Sequence, residues 1–150
     1  MKFDYIIIGQ GICGTFLSWN LLKAGKKILV IDESQKFSST KVASGIINPV
    51  TGRRVVTTWM IEELLSFALK AYTEIGSDIG EAIIEQKNTI AFPPSVQMFQ
   101  TYEKRANEEN SFIQSFENNE EEFHKYFDFT FHTYTIDPTY LIYLHPLLKT

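Results

Sequence analysis

The chain has 150 residues, 44% hydrophobic and 21% charged, with a net charge of −4. That balance suits a folded globular domain, and the sequence carries no dense basic run, which weighs against direct nucleic-acid binding. A single cysteine excludes an internal disulfide and fits a reducing, cytoplasmic compartment. No apolar run is long enough to cross a membrane, and MKFDYIIIG lacks the apolar core of a secretory leader.

Phe3 to Ile8 is an apolar, β-branched run without polar alternation. It predicts a strand covered on both faces, as in a parallel sheet. The stretch continues YIIIGQGICGTF, stopping the strand at Gly9, Gly11 and Gly14. Thr15 to Ala24 predicts a helix. Ile12, Phe16 and Asn20 lie along one line of it, Cys13, Leu17 and Leu21 along the next, and Gly25 closes it. Ile28 to Ile31 predicts a second buried strand ending at Asp32, completing a βαβ unit with a right-handed crossover. Ser34 to Gly52 is rich in small and turn-forming residues and predicts a long functional loop with little regular structure.

Trp59 to Ile75 predicts an amphipathic helix with Leu64, Phe67 or Ala68, Ala71, Tyr72 and Ile75 on its apolar face and Gly76 at its end. Thr89 to Phe92 predicts a short strand. Ser95 to Asn107 predicts a helix with Ser95 as N-cap. Phe127, Phe129 and Phe131 alternate with polar residues and predict a half-buried strand. Asp137-Pro138 predicts a helix start, with the helix running through Tyr140, Leu141, Leu144 and Leu148. A boundary is expected near residue 76. Residues 1–76 then form a dinucleotide-binding unit, 77–136 a partial second domain, and 137–150 a returning helix.

Gly9-x-Gly11-x-x-Gly14 between a strand and a helix carries a mechanism. Gly9 allows a tight turn, Gly11 allows backbone to approach a pyrophosphate, and Gly14 lets the helix pack on the strand. The helix N-terminus offers amide donors and a partial positive charge to phosphate. Asp32, eighteen residues after Gly14, can accept hydrogen bonds from adenosine ribose hydroxyls and disfavours a 2′-phosphate. NAD and FAD share this fingerprint.

Three segments, DYIIIGQGICG, ILVIDES and SSTKVASGIINP, resemble the D-amino-acid oxidase and glycine oxidase family of FAD-dependent oxidoreductases. The resemblance is strong over residues 1–60 and returns at TIDPTYLIYLHPLL. It implies an α/β fold, with a Rossmann-like FAD-binding βαβ unit and part of an inserted α+β substrate domain. It implies FAD as cofactor and oxidation of a small-molecule amine or amino acid by hydride transfer to flavin. The cofactor-binding candidates are Gly9, Gly11, Ile12, Cys13, Gly14, Asp32 and Glu33, followed by Ser39, Thr40, Ala43, Ser44, Gly45 and Ile46 in the third segment. The chain covers less than half of a usual family member, and a fragment is expected that self-associates or needs a C-terminal companion. The later flavin-domain strands, and the substrate-gripping Arg and Tyr of the family's oxidases, have no counterpart in it. The alternatives are an NAD-dependent dehydrogenase sharing only the fingerprint, and a non-catalytic nucleotide-binding fragment.

Other groups read more plainly. Cys13 is expected to be a small buried hydrophobe. Glu117, Glu120, Glu121 and Glu122 form a solvated acidic face. His124, His132 and His145 lack metal-ligand spacing, and no metal is expected. Arg53-Arg54 reads as a surface pair or as a contact to an anionic substrate or cofactor. The aromatics Phe123, Tyr126, Phe127, Phe129 and Phe131 read as core or as surface that a partner covers. Asp137 reads as a helix cap, and no side chain stands out as an acid–base catalyst.

Overall fold

A computed structural model describes residues 2–34, 37–109, 111–116 and 120–147. The chain divides into two compact units. The first is residues 1–45 with 143–150, and the second is residues 46–142.

In the first unit, β1 (Tyr5–Ile8) and β2 (Ile28–Ile31) pair in parallel, with Ile6 opposite Leu29 and Ile7 opposite Val30. Helix α1 (Ile12–Lys23) makes the crossover, and Gly25 follows it with φ 70°. This is the expected βαβ unit, with α1 starting three residues earlier than predicted because Gly11 already serves as N-cap. The expected burial differs. Only Ile7 of β1 is buried, whereas Ile6 is 62% and Ile8 85% exposed. Cys13 is exposed rather than buried, because α1 turns its buried side toward Ser18. The short helices α2 (Ser39–Val42) and α6 (Leu144–Leu147) pack together in this unit.

The second unit is built on an antiparallel sheet. Its central strand is β8 (Tyr134–Ile142), paired along one edge with β6 (Ile84–Ala91). The other edge takes β7 (Ile113–Ser115) opposite Tyr134–Ile136 and β3 (Ile46–Ile47) opposite Tyr140 and Leu141. A separate hairpin joins β4 (Val50–Thr51) to β5 (Val56–Thr57). The loop expected over residues 34–52 thus carries one short helix and two short strands.

The helix expected from Asp137-Pro138 is strand as far as Ile142, the second half of β8; Leu144–Leu147 of its span is helical, as α6, and Leu148 lies outside the described residues. Tyr134, Thr135, Ile136, Thr139, Tyr140 and Ile142 are strand-favouring types, and the pairing with β6 decides the conformation. Pro138 cannot donate to a ladder. It stands opposite the irregularity between Lys87 and Thr89, where the register is already broken. Asp137 therefore caps no helix. Its amide donates to the Phe112 carbonyl at 3.0 Å. Buried Thr139 donates its hydroxyl to the Lys87 carbonyl and accepts one from Thr89 at 3.0 Å, which satisfies its polar atom inside the sheet.

Phe127, Phe129 and Phe131 lie outside regular structure. Phe127 and Phe129 gather with Phe123 (in α5, Glu120–Phe123) around the Phe92 ring instead of pairing as a strand. Tyr126 and Phe127 stay largely exposed. Glu121 and Glu122 are exposed as expected, and Glu117 lies outside the described residues. Helix α4 (Val96–Ala106) starts at Ser95, whose hydroxyl accepts from the Met98 amide at 3.3 Å, the predicted cap. It packs Met98, Phe99, Tyr102 and Ala106 on a buried cluster of Val50, Val55, Ile113, Tyr134 and Ile136.

Helix α3 (Ile61–Ile79) passes unbroken through residue 76, so the boundary expected there falls inside a helix. Its buried positions are Ile61, Leu65, Ala71, Ile75 and Gly76, while Leu64 and Phe67 face outward. Gly80, with φ 73°, ends the helix. Gly76 serves close packing: a Cβ there would lie 2.6 Å from the Glu81 carbonyl oxygen and 3.4 Å from Ile83 Cγ1. Gly76→Ala should therefore destabilise the chain by about 1–3 kcal/mol, against the roughly 1 kcal/mol that alanine gains in helix propensity. A urea midpoint that falls at constant m-value is expected; an unchanged or higher midpoint would remove this account.

Candidate functional site

The glycine turn is assembled by backbone contacts. Gly9, at φ 92°, donates its amide to the Ile31 carbonyl at 2.8 Å and extends the β1–β2 pairing by one residue. The Gln10 amide then donates to Asp32 Oδ2 at 2.7 Å, and the Ser34 amide donates to Asp32 Oδ1 at 2.7 Å. Gly11 caps α1 without a side chain, and its carbonyl accepts from the Thr15 amide at 2.9 Å. A Cβ on Gly14 would stand 2.0 Å from the Gly9 carbonyl oxygen, so the first turn of α1 rests directly on the glycine turn. That is the packing role expected for Gly14.

Across the turn, Thr40 in α2 is buried, and its hydroxyl accepts from the Ile12 amide at 3.0 Å. A Cβ on Gly11 would lie 3.2 Å from that hydroxyl. Helix α2 is capped by Ser38, whose hydroxyl accepts from the Lys41 amide at 3.4 Å. The structure thus brings together Gly9, Gly11, Ile12, Gly14, Asp32 and Thr40. Cys13 sits on the first turn of α1 with an exposed side chain. Glu33 is exposed beside Asp32. Ser39 opens α2, exposed Ala43 ends it in extended backbone, exposed Ser44 follows, and Gly45 takes φ 73°. Ile46 belongs to the second unit, in β3.

Two features were not read from sequence. One is that Asp32 binds backbone at both oxygens. The signal for it was the position of an acid directly after a strand that parallels the glycine strand. The other is the Ser38 cap, visible as a serine before Ser39-Thr40-Lys41. Asp4 mirrors Asp32 at the far end of the pair, accepting from the Lys27 amide at 2.8 Å.

The amides of Gln10 and, second, Ser34 hold the Asp32 carboxyl below its ordinary range; desolvation opposes them, and Lys41 adds the smallest pull downward. Elsewhere His124 stacks on Phe129, and His132 Nε2 lies 2.6 Å from Ser115 Oγ. Among the described residues no group of three His, Cys, Asp or Glu side chains is placed to hold a metal ion, and no helix is long and apolar enough to cross a membrane.

Two expectations follow. Because the Asp32 pKa is depressed on folding, its contribution is present above the unfolded value near 3.9 and is lost as pH falls through the folded value. Melting temperatures followed from about pH 6 to about pH 2.5 should drop less steeply for Asp32→Asn than for the parent; parallel curves would contradict this. Gly14→Ala should cost about 1–3 kcal/mol by forcing α1 off the turn, measured by denaturant unfolding, and a neutral effect would show that the contact yields.

No protein-family model matches the chain. A 56-residue stretch, 37% of this chain, is 36% identical to the uncharacterized oxidoreductase YurR of Bacillus subtilis (strain 168) and covers 15% of that protein. Among solved structures, L-amino acid deaminase from Proteus vulgaris superposes with a TM-score of 0.66 at 12% identity, over 99% of this chain and 37% of that one. Iminodiacetate oxidase (IdaA) from Chelativorans sp. BNC1 gives 0.62 at 12% identity, over 97% and 42%. NikD, an amino acid oxidase of nikkomycin biosynthesis, gives 0.62 at 12% identity, over 98% and 39%. The chain therefore spans about two fifths of these solved chains and a smaller share of its sequence relative. The chain has the α/β fold of the N-terminal portion of these amino acid oxidases and deaminases.

Proposed function

We propose that this chain is the portion of an FAD-dependent oxidoreductase that holds the cofactor, in an enzyme that oxidises a small-molecule amine or amino acid. The observation that carries this reading is the start of α1. A twelve-residue helix begins at a glycine that offers no capping side chain of its own, with the Thr40 hydroxyl on its first amide, beside the tip of a parallel strand followed by an exposed carboxylate. Amides at such an end suit a diphosphate. The residues fit an adenosine diphosphate moiety. The missing Cβ of Gly11 leaves room beside the Thr40 hydroxyl. Each Asp32 oxygen accepts one amide and keeps a further lone pair for a ribose hydroxyl.

In this reading Gly9, Gly11, Ile12, Cys13 and Gly14 present backbone to the phosphates, and Asp32 and Glu33 face the adenosine. Ser39, Thr40, Ala43, Ser44, Gly45 and Ile46 take the family's place along the rest of the cofactor. When bound, the flavin supplies hydride acceptance. The chain's own residues bind and orient it, and none is assigned as an acid or base. The single thiol and the soluble composition suit the cytoplasm.

A second reading concerns assembly. Ile6, Ile8 and Ile31 are 62%, 85% and 51% exposed on strands with no polar alternation. Such a surface suits cover by a companion segment or a second copy, and it makes cofactor affinity depend on that cover.

Titration of the purified chain with FAD, followed by flavin fluorescence, should give binding at about 10 μM or tighter, weakened about tenfold by Asp32→Ala. A companion covering the exposed isoleucines should strengthen it. Binding of NAD in preference to FAD would sink the flavin assignment in favour of a dehydrogenase, and binding of neither, with or without a companion, would remove the dinucleotide site.

A further inference from the structure

In the second unit, a groove of about 960 Å³ lies between the β4–β5 turn and α4. Arg53 and Arg54 form one wall from the turn, and Lys104 and Arg105 stand on the helix side. The helix also contributes Gln97, Gln100 and Thr101. With Lys104 these recur at three- and four-residue intervals, the spacing of one helix face. No carboxylate lines this groove.

Four cations around one space repel each other, and an acidic protein has carboxylates to spare for pairing them. Only Arg105 is paired: its Nη1 reaches both carboxylate oxygens of Glu108 at 2.9 Å. Among the described residues Arg53, Arg54 and Lys104 have no ion-pair partner. The opposite side of α4 is committed to the hydrophobic cluster through Phe99, Tyr102 and Ala106, so the polar face is fixed in place by packing. Guanidinium forks match the oxygens of phosphate and carboxylate groups, and neutral amide and hydroxyl donors can complete the shell of a ligand with more than one anionic group. The volume is that of a small-molecule site.

We propose that this groove binds a small, multiply charged oxyanion, a phosphorylated or polycarboxylate metabolite, through Arg53, Arg54 and Lys104. The site lies wholly in the second unit and stands whether or not the first unit holds a dinucleotide.

The test is calorimetric titration of the full 150-residue chain at low ionic strength, about 20 mM, with pyrophosphate, citrate and acetate as separate arms. Pyrophosphate or citrate should bind below about 1 mM and acetate should not; whichever dianionic or trianionic probe is tighter names the source chemistry. Arg53→Ala/Arg54→Ala and, separately, Lys104→Gln should each weaken binding about tenfold. Arg53→Lys/Arg54→Lys keeps charge but loses the fork, and should weaken it about threefold. Lys70→Ala is the control, since Lys70 pairs with Glu74 on α3 outside the groove; it should leave affinity unchanged. Absence of binding by both multivalent probes, equal loss with Lys70→Ala, or unchanged affinity in both groove variants would overturn the proposal. An oligonucleotide that binds more than about tenfold tighter than either probe would overturn the small-molecule class. If the double alanine variant fails to fold, Lys104→Gln on the facing wall decides alone.

Discussion

The first unit depends on one carboxylate. Asp32 takes the Gln10 amide on one oxygen and the Ser34 amide on the other, each at 2.7 Å. Two four-residue parallel strands bury little by themselves, with Ile7 the one buried position of β1. A charged acceptor on backbone amides supplies stronger hydrogen bonds than neutral pairing does. Asp4 repeats the device at the opposite end through the Lys27 amide. The strand pair is thus pinned at both ends by aspartates that reach across to backbone. The pin at the glycine end also fixes the turn from which α1 departs.

The same economy shapes the candidate cofactor site. Gly14 brings α1 against the Gly9 carbonyl, which aims the helix N-terminus over the turn. Thr40 then takes the Ile12 amide, so one donor of that terminus already has a protein partner. A bound diphosphate would share or displace that hydroxyl, which can turn to donate instead of accept. In the same reading Asp32, which holds the Gln10 and Ser34 amides, would meet a ribose hydroxyl with its other lone pairs. In the proposed reading, the residues that would meet a cofactor also hold this unit together, which would couple its order to occupancy.

The second unit is organised by β8. It is long enough to pair with β6 on one edge and with both β7 and β3 on the other. Its inward residues Tyr134 and Ile136 join Val50, Val55 and Ile113, and α4 closes that cluster. Packing one face of α4 leaves the other to line a basic groove with the β4–β5 turn. The arrangement places Arg53-Arg54, neighbours in sequence, beside Lys104, fifty residues on.

What the sequence determined by itself is local. The βαβ order, the three glycines, the acid after the second strand and the Ser95 cap are set by nearest neighbours, so period and turn chemistry reveal them. Tertiary structure decided the rest. Asp137-Pro138 carries a helix-start signal, yet pairing with β6 makes it strand, because a ladder over seven register positions outweighs a local cap. Gly76 reads as a helix end, yet it is a contact point for Glu81 and Ile83, and no local pattern announces a backbone approach. The alternating phenylalanines read as a strand, yet Phe127 and Phe129 turn toward Phe92, because aromatic burial has no direction until a partner is in place. Asp32 joins both classes: its position was legible in the chain, but its hold on the Gln10 amide exists only once β1 and β2 lie side by side.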